Sequence, residues 1–280
     1  MGPGLIGGSV LKGVRKRFPE VELSAWARRN AVVEALRKDF GSIDLASPDL
    51  EEAIAGADLV ILAMPTGVMA DVVKRISRFP ETTAKRPVMV TDVGSVKGPV
   101  VSEIAPLVRE RGGVFLGSHP MAGSEKAGLE YAEDSLLEDA AVILTPEKDR
   151  SSAADIEKVT DFWESLGGRV STMEAGEHDR LVASISHLPH LLAASLVRVV
   201  LRENPDAASF SGGGLRDTTR VSAGPEEMWS GILCDNQEAV SRKLEELICE
   251  LGIWKDALDS LDRDKLRSFL SEARQLRETF

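Results

Sequence analysis

The chain has 280 residues, of which 43% are hydrophobic and 28% are charged, so it can form one large or two ordinary globular domains. Its formal net charge of −11 disfavours nucleic acids and anionic membranes as partners, since both attract basic surfaces. The two cysteines, Cys234 and Cys249, lie far apart and match no metal-binding spacing, which argues against a disulfide framework.

No membrane segment is expected. The longest strongly apolar stretch, residues 191–201, contains Arg198 and falls short of the roughly 20 residues that span a bilayer. The N-terminus lacks the basic and apolar regions of a signal peptide. Together with the cysteine usage, these observations predict a cytoplasmic protein that acts on a small molecule.

The first feature along the chain is a glycine loop. Residues 2–7, GPGLIG, match the G-x-G-x-x-G loop that holds a dinucleotide pyrophosphate. Val10, Val14 and Phe18 then recur every four residues, which predicts an amphipathic helix directly after the loop. A helix start that merely contains small residues is the alternative interpretation.

Such a loop normally follows a β-strand, but only Met1 precedes this one. We therefore expect the first, central strand of the sheet to be missing, which would leave two strand edges unpaired. The chain should then fold poorly or bind its cofactor weakly, and about eight additional residues ahead of Met1 should raise its melting temperature.

Apolar, β-branched runs alternate with helical stretches over the first 175 residues. The runs lie at 21–27, 57–65, 86–94, 113–120, 141–146 and 169–174, with helical stretches at 30–40, 66–77 and 153–167. This alternation predicts an α/β fold with a doubly wound, Rossmann-type parallel sheet. Long amphipathic helices follow, so we expect a dinucleotide-binding domain at 1–175 and a helical domain at 176–280.

The end of the predicted strand at 21–27 favours NADP over NAD. About 20 residues after the last glycine of the loop, where Rossmann folds usually carry an acidic residue for the ribose 2′-hydroxyl, the chain has Ala27, Arg28 and Arg29. The alanine removes the repulsion of a 2′-phosphate, and the guanidinium groups offer it charge-assisted donors. Alternatively, the arginines are ordinary surface charges.

All four histidines fall in two short segments, 117–125 (GSHPMAGSE) and 177–190 (EHDRLVASISHLPH). His119 is expected directly after a predicted strand, at the carboxyl edge of the sheet where open α/β folds bind ligands. Pro189 lacks an N–H group and should break or start a helix between His187 and His190. A metal site is a competing interpretation, but neither H-E-x-x-H spacing nor a carboxylate cluster supports it, so none is predicted.

Two arginines in the helical half suit an anionic substrate. Arg216 and Arg220 are four residues apart, so a helix would present them on one face. Paired arginines near histidines suit a substrate with carboxylates. A structural ion pair with Asp217 or Glu227 is the alternative.

Five motifs in order, GPGLIGGS, DVGSVKG, GSHPMAGSE, SHLPH and GGGLRDTTR, resemble the prephenate and arogenate dehydrogenases of tyrosine biosynthesis. The resemblance implies a Rossmann-type domain followed by a helical domain that forms a homodimer. It also implies oxidative decarboxylation: hydride passes from the ring carbon bearing the hydroxyl to the nicotinamide, the ring carboxylate leaves as carbon dioxide, and the ring becomes aromatic. The product is 4-hydroxyphenylpyruvate from prephenate or tyrosine from arogenate.

The resemblance assigns roles to individual residues. His119 would take the proton of the ring hydroxyl, which requires a neutral imidazole, and Ser95 would lie between nicotinamide and hydroxyl. Arg220 would hold the ring carboxylate, while Arg216 would shape the pocket. The remaining substrate-site residues would be His187 and His190, which contact the side-chain end of the substrate, and Ser124; the cofactor site would comprise Gly2, Gly4, Leu5, Ile6, Gly7, Arg28, Arg29, Pro65 and Ser95.

Three questions stay open at this stage. Glu130 could pair with the ammonium group of arogenate, or it could be an exposed helix charge. Another NADP-dependent reductase with the same Rossmann and helical domains, such as a 3-hydroxyacid dehydrogenase, is an alternative function. A lysine base in the helical domain would favour this alternative, but the chain has its histidine pair there instead. A non-catalytic dinucleotide sensor or an inactive fragment is the second rival.

Overall fold

The computed structural model describes residues 1–39, 41, 43–82, 84–123, 126 and 128–279. Its strands are β1 Ser24–Trp26, β2 Leu45–Ser47, β3 Leu59–Leu62, β4 Met89–Asp92, β5 Val114–Phe115, β6 Gly117–Pro120, β7 Ala141–Thr145 and β8 Arg169–Thr172. The helices of the same region are α1 Leu5–Arg17, α2 Asn30–Asp39, α3 Leu50–Ile54, α4 Thr66–Arg75, α5 Ala105–Glu110 and α6 Ala153–Ser165. The helices that follow are α7 Ala175–Val182, α8 Leu188–Glu203, α9 Gly213–Thr219, α10 Glu226–Asp235, α11 Gln237–Asp259 and α12 Arg263–Arg277.

The parallel, doubly wound arrangement predicted from the sequence is confirmed. β1 pairs with β2, and β3 with β4 and then β5, all in parallel. Side chains of β3 alternate between two hydrophobic cores. Val60 and Leu62 belong to the core beneath α4. Leu59 and Ile61 pack on the core formed with α1 and α6. Alternate side chains therefore bury both faces of the sheet under helices, as a parallel sheet requires.

One predicted strand is in fact two. The run at 113–120 forms β5 and then β6, and β6 pairs antiparallel with β7, which itself pairs parallel with β8. The divergence begins after Leu116, whose amide still bonds the Val90 carbonyl at 3.0 Å. The next amide on that side, from Ser118, instead donates to the Asp92 side chain at 3.1 Å, so the chain leaves the ladder of β4.

Met1 and the first residue of the glycine loop lie between β1 and β3. The Met1 ammonium donates to the Ile61 carbonyl at 2.7 Å, and the Met1 carbonyl accepts from the Ala63 amide at 2.8 Å. The Gly2 amide donates to the Trp26 carbonyl at 3.0 Å. In the described part of the chain no strand precedes α1, and β1–β2 and β3–β5 form separate sheets.

A long, continuous helix starts the second half of the chain. α7 and α8 are joined by a π-helical turn, Ala183–His187, and together they cover Ala175–Glu203. Pro189 lies in the first turn of α8, where its missing N–H widens the preceding turn without ending the helix. By length and composition alone this helix could cross a membrane, but its α7 segment buries His178 and bonds the loop after β4.

The chain divides by internal contact density into two compact units, Met1–Asn236 and Gln237–Phe280. The long helices predicted after residue 177 are present in both units. In the second unit, α11 and α12 pack on each other, with the rings of Trp254 and Phe269 centred 5.2 Å apart.

Candidate active site

Each glycine of the loop has a distinct environment. Gly2 has a positive φ of 80°, and a Cβ on it would lie 2.8 Å from the Ala63 carbonyl oxygen. A Cβ on Gly7 would lie 3.0 Å from the Ala63 Cβ, so this glycine lets α1 approach the end of β3. Gly4 borders open space. In a dinucleotide-binding loop the first glycine allows the tight turn, the second lets the pyrophosphate approach, and the third lets the helix pack on the strand. Gly2, Gly4 and Gly7 meet these three needs in that order, so the loop fits the cofactor.

The start of α1 offers the amide donors that a pyrophosphate needs. Gly4 is the N-cap residue, no side chain caps the helix, and its first turn has no acidic residue. Leu5 and Ile6 begin the helix, so their amides lie at its positive end. Pro65 precedes α4 just beyond Ala63, on the strand end that contacts the loop.

The two arginines of the predicted NADP site are exposed and follow Ala27, the first residue after β1. The bond between the Gly2 amide and the Trp26 carbonyl joins the end of β1 to the glycine loop. Ala27 is buried and donates its amide to the Ser47 carbonyl at 3.2 Å. Arg28 and Arg29 therefore leave the sheet beside the loop, at the strand end where the ribose of a dinucleotide binds in this fold.

A buried ion pair ties the loop after β4 to β6. Lys97 and Asp92 are both fully buried, and the Lys97 ammonium bonds the Asp92 carboxylate and, at 2.7 Å, the Ser118 carbonyl. Asp92 also accepts from the Gly94 amide at 2.7 Å. Burial lowers the pKa of Lys97, although the Asp92 carboxylate opposes this. The ion pair holds the chain on both sides of Ser95, and the Lys97 ammonium also holds Ser118, the residue before His119.

The central feature of the site is a row of three side chains. His119 Nδ1 lies 2.8 Å from His178 Nε2, and His178 Nδ1 lies 2.7 Å from Asp179 Oδ1. The Asp179 carboxylate accepts from the amides of Lys97 at 2.8 Å and Gly98 at 2.7 Å. α7 thereby joins both the loop that carries Ser95 and the strand that carries His119.

His119 lies within β6, so it belongs to the strand predicted at 113–120 and does not follow that strand. The chain leaves the ladder of β4 at Ser118 and continues as β6, so His119 reaches the site as part of a strand. Burial lowers the pKa of His119 well below its usual value, and the positive charge of Lys97 lowers it further. The imidazole is consequently neutral at neutral pH, which is the state a general base needs.

The other two histidines continue the site along the same long helix. Asn236 Nδ2 donates to the Asp179 backbone carbonyl at 2.8 Å and lies 3.1 Å from His187 Nδ1. Since a carbonyl oxygen can only accept, the Asn236 atom that faces it is nitrogen, and His187 Nδ1 accepts its second hydrogen. His187 therefore keeps its proton on Nε2. His190 stacks on Trp229, with ring centroids 3.5 Å apart.

The burial of His187 predicts a pH-dependent contribution to stability. Burial lowers its pKa from 6.5 to about 4, although Asp179 opposes this. The unfolded chain thus binds more protons than the folded chain between these values, so the contribution is complete above pH 6.5 and is lost as the pH falls toward 4.

We expect the wild type to lose up to about 3 kcal/mol more unfolding free energy between about pH 7.5 and about pH 4 than His187→Gln, which cannot titrate. Urea unfolding of both proteins at several pH values measures the difference. An equal loss in the two proteins would contradict the buried, neutral state of His187.

The remaining residues predicted for the substrate site are exposed or lie outside the described residues. Arg216 and Arg220 are exposed, on α9 and on the 3₁₀ turn Arg220–Ala223, and both segments pack against α8. Ser124 lies outside the described residues. Glu130 is exposed in a short 3₁₀ turn. Within the described ranges, no group of three potential ligand side chains suits a metal ion.

Part of the site was not predicted from the sequence. His178 was noted as one of the four histidines, but no role was assigned to it. Asp179, Trp229 and Asn236 were not noted as site residues. An adjacent histidine and aspartate in a chain with so few histidines was an available signal for the first two. No pattern marked Trp229 or Asn236, because each reaches the site only through the fold of α10.

Comparison with known proteins identifies the family. Residues 12–172 match the sequence model of the prephenate dehydrogenase nucleotide-binding domain, and residues 174–272 match that of the prephenate dehydrogenase dimerization domain. The chain belongs to the prephenate dehydrogenase family. It is thus an oxidoreductase with a Rossmann-type domain that takes a nicotinamide dinucleotide and a small-molecule substrate, and its helical part corresponds to the family's dimerization domain.

Three relatives are similar to the chain over nearly their whole length. A cyclohexadienyl dehydrogenase of Zymomonas mobilis is 31% identical, with 99% of this chain and 93% of the relative covered. The prephenate dehydrogenase of Aquifex aeolicus, solved with hydroxyphenyl propionate and NAD⁺, is 30% identical with a TM-score of 0.88, covering 99% and 96% of the two chains. The Synechocystis arogenate dehydrogenase is 26% identical with a TM-score of 0.80, covering 99% and 97%.

Proposed function

We propose that this chain catalyses the oxidative decarboxylation of prephenate to 4-hydroxyphenylpyruvate, a step of tyrosine biosynthesis, with hydride transfer to NADP. The observation that carries the proposal is the neutral, buried His119, held between the loop of Ser95 and the long helix of the other histidines. Membership of the prephenate dehydrogenase family supports the reaction. A bound nicotinamide supplies the hydride acceptor.

In this proposal each residue of the site orients the substrate or takes its proton. His119 accepts the proton of the ring hydroxyl as hydride leaves the same ring carbon, and Ser95 orients that hydroxyl. The electrons of the bond to the departing carboxylate then complete the aromatic ring. Arg220 holds this carboxylate until it leaves as carbon dioxide, and Arg216 shapes the pocket around it.

The side-chain end of the substrate is assigned to the second pair of histidines. The tautomer that Asn236 imposes leaves His187 with an Nε2–H donor, which suits a carboxylate or keto oxygen. His190 lies three residues further along α8, braced by its stack on Trp229. Ser124 completes the proposed substrate site.

Arogenate is the second candidate substrate. The Synechocystis relative, an arogenate dehydrogenase, favours it, and Glu130 is the residue proposed to pair with its ammonium group. Initial rates of nicotinamide reduction with prephenate or arogenate, each with NADP or NAD, test the proposal directly. Turnover of prephenate supports it, turnover of arogenate alone transfers it to the second candidate, and no turnover by folded, cofactor-bound protein overturns both.

We propose NADP as the preferred cofactor because Arg28 and Arg29 stand beside the glycine loop without a neighbouring acidic ribose ligand. Replacing both with serine should raise the KM for NADP at least about tenfold, the worth of one charge-assisted hydrogen bond, and leave the KM for NAD nearly unchanged. The double variant Lys38→Ser/Lys74→Ser removes equal charge from exposed positions and controls for long-range electrostatics. Equal changes for both nucleotides would refute the assignment.

Three further proposals concern organisation. The change from alternating strands and helices to helices alone supports a functional division into 1–175 and 176–280. Large apolar side chains exposed on the long helix, among them Ile185, Leu192 and Val199, support a homodimer formed through the helical part. The reducing environment that suits Cys234 and Cys249 supports a cytoplasmic location.

A further inference from the structure

We propose that His178 and Asp179 act together as a positioning pair for His119: they fix the tautomer of its imidazole and receive a proton from it during turnover. The inference rests on the proposed function for its second part, the proton transfer. The first part, the tautomer, concerns the free protein and does not depend on the proposed reaction.

The carboxylate of Asp179 is ionised. Burial alone would raise its pKa, but hydrogen bonds from His178 and from the amides of Lys97 and Gly98 outweigh burial and lower the pKa below its usual value. Both oxygens accept bonds, Oδ1 from Lys97 and Oδ2 from Gly98. An ionised carboxylate can only accept, so the His178 nitrogen that faces it must carry a hydrogen.

This requirement passes along the row to His119. In this proposal His178 carries a single ring hydrogen in the free protein. With this hydrogen on Nδ1, toward Asp179, His178 presents a lone pair at Nε2. His119 Nδ1 lies 2.8 Å from this lone pair and must therefore donate. His119 is neutral, so its own lone pair is on Nε2. The row thus leaves the base with its accepting nitrogen on the side away from His178.

The same row provides a path for the proton that His119 takes up. When Nε2 accepts the hydroxyl proton, the hydrogen on Nδ1 can cross to His178 Nε2, which restores neutral His119 in the other tautomer. One proton enters the row and one positive charge results, located on His178. That charge then pairs with Asp179 over the 2.7 Å contact.

A purely structural role would not specify a direction for these bonds. His178 has no exposed surface, and packing alone would be satisfied by an apolar side chain of similar size. Its two nitrogens instead have one partner each, on opposite edges of the ring. Asp179 in turn is bound by amides of the Ser95 loop, so one carboxylate orients both the base and the residue proposed to orient the substrate hydroxyl.

Nitrogen-15 NMR of the purified full-length chain, labelled at histidine, tests the tautomer without any substrate. Only four histidines have to be assigned, and His119→Asn identifies the signals of the base. The expected spectrum shows His119 protonated at Nδ1 and unprotonated at Nε2. His119 protonated at Nε2 in the wild type would overturn the proposal.

Two variants test the pair during turnover. His178→Leu removes both hydrogen bonds and should lower kcat about 100-fold, the size expected when a general base loses its orientation, with KM values for both substrates within about twofold of wild type. His178→Gln can accept from His119 and donate to Asp179 but cannot carry a proton. It should therefore retain the tautomer in the NMR spectrum and show an intermediate kcat.

The outcomes separate this proposal from the proposed function. If the wild type turns over neither prephenate nor arogenate, the function fails while the NMR result still decides the tautomer. An unchanged kcat in His178→Leu overturns the pair's role in turnover. So does an equal loss in the leucine and glutamine variants together with raised KM and lowered melting temperature, because that result describes a damaged fold.

Discussion

Replacing His119 with asparagine should lower kcat about 10²- to 10⁴-fold, the usual contribution of a positioned general base. The asparagine amide can still donate to His178 Nε2, so the buried hydrogen bond is retained. It has no basic nitrogen to take the hydroxyl proton as hydride leaves. Steady-state rates with saturating prephenate and NADP measure the loss, and the KM for NADP should stay close to its wild-type value because the glycine loop is distant in sequence and unaltered.

A second histidine variant provides the contrast. His190→Asn removes the ring that stacks on Trp229, and it should raise the KM for prephenate more than it lowers kcat, because this residue is proposed to bind the side-chain end. If His119→Asn kept its kcat, or if both variants changed only KM, proton removal would have to be assigned to another residue.

Replacing Lys97 with methionine should destabilise the protein by about 3–5 kcal/mol, because it leaves the Asp92 carboxylate buried without its cation. The Ser118 carbonyl would lose a donor in the same change. The corresponding fall in melting temperature is on the order of 10 °C for a chain of this size. Calorimetry or urea unfolding of the wild type and the variant measures the effect.

Lys74→Met is the matched control. Lys74 is exposed on α4, and its ammonium lies 3.8 Å from the Asp71 carboxylate, so the same substitution there should change stability by less than about 0.5 kcal/mol. Similar losses in the two variants would mean that methionine itself, and not the unpaired Asp92, causes the destabilisation. A small loss at both sites would mean that Asp92 is not a buried charge.

Much of the fold follows from local pattern. The strands at Leu59–Leu62, Met89–Asp92 and Ala141–Thr145 were predicted because each is a short apolar run between turn residues. β2, Leu45–Ser47, was not predicted. The antiparallel pairing of β6 was also missed, because it depends on a bond between Ser118 and the Asp92 side chain, 26 residues away.

The site could be predicted from the sequence only for residues that belong to a recognisable motif. The glycine loop, Ser95 and His119 stand in recognisable stretches, so their places could be anticipated. The contact between His119 and His178 joins residues 59 positions apart, and that between Asn236 and His187 joins residues 49 apart. Hydrogen bonds of this kind arise from how helices dock on the sheet, and no local pattern of residues specifies them.

The π-helical turn between α7 and α8 sets the angular register of the histidines. In an uninterrupted α-helix, which turns about 100° per residue, His190 would stand roughly 120° around the axis from His178, and His187 nearly opposite it. One additional residue in a turn moves both histidines back by about 100° around the helix axis. His190 then lies almost in line with His178, and His187 lies less than a right angle away from His178. A deletion of one residue between Ala183 and His187 would therefore rotate the histidines proposed to bind the substrate away from His178 and Asp179, although every side chain of the site would remain in the sequence.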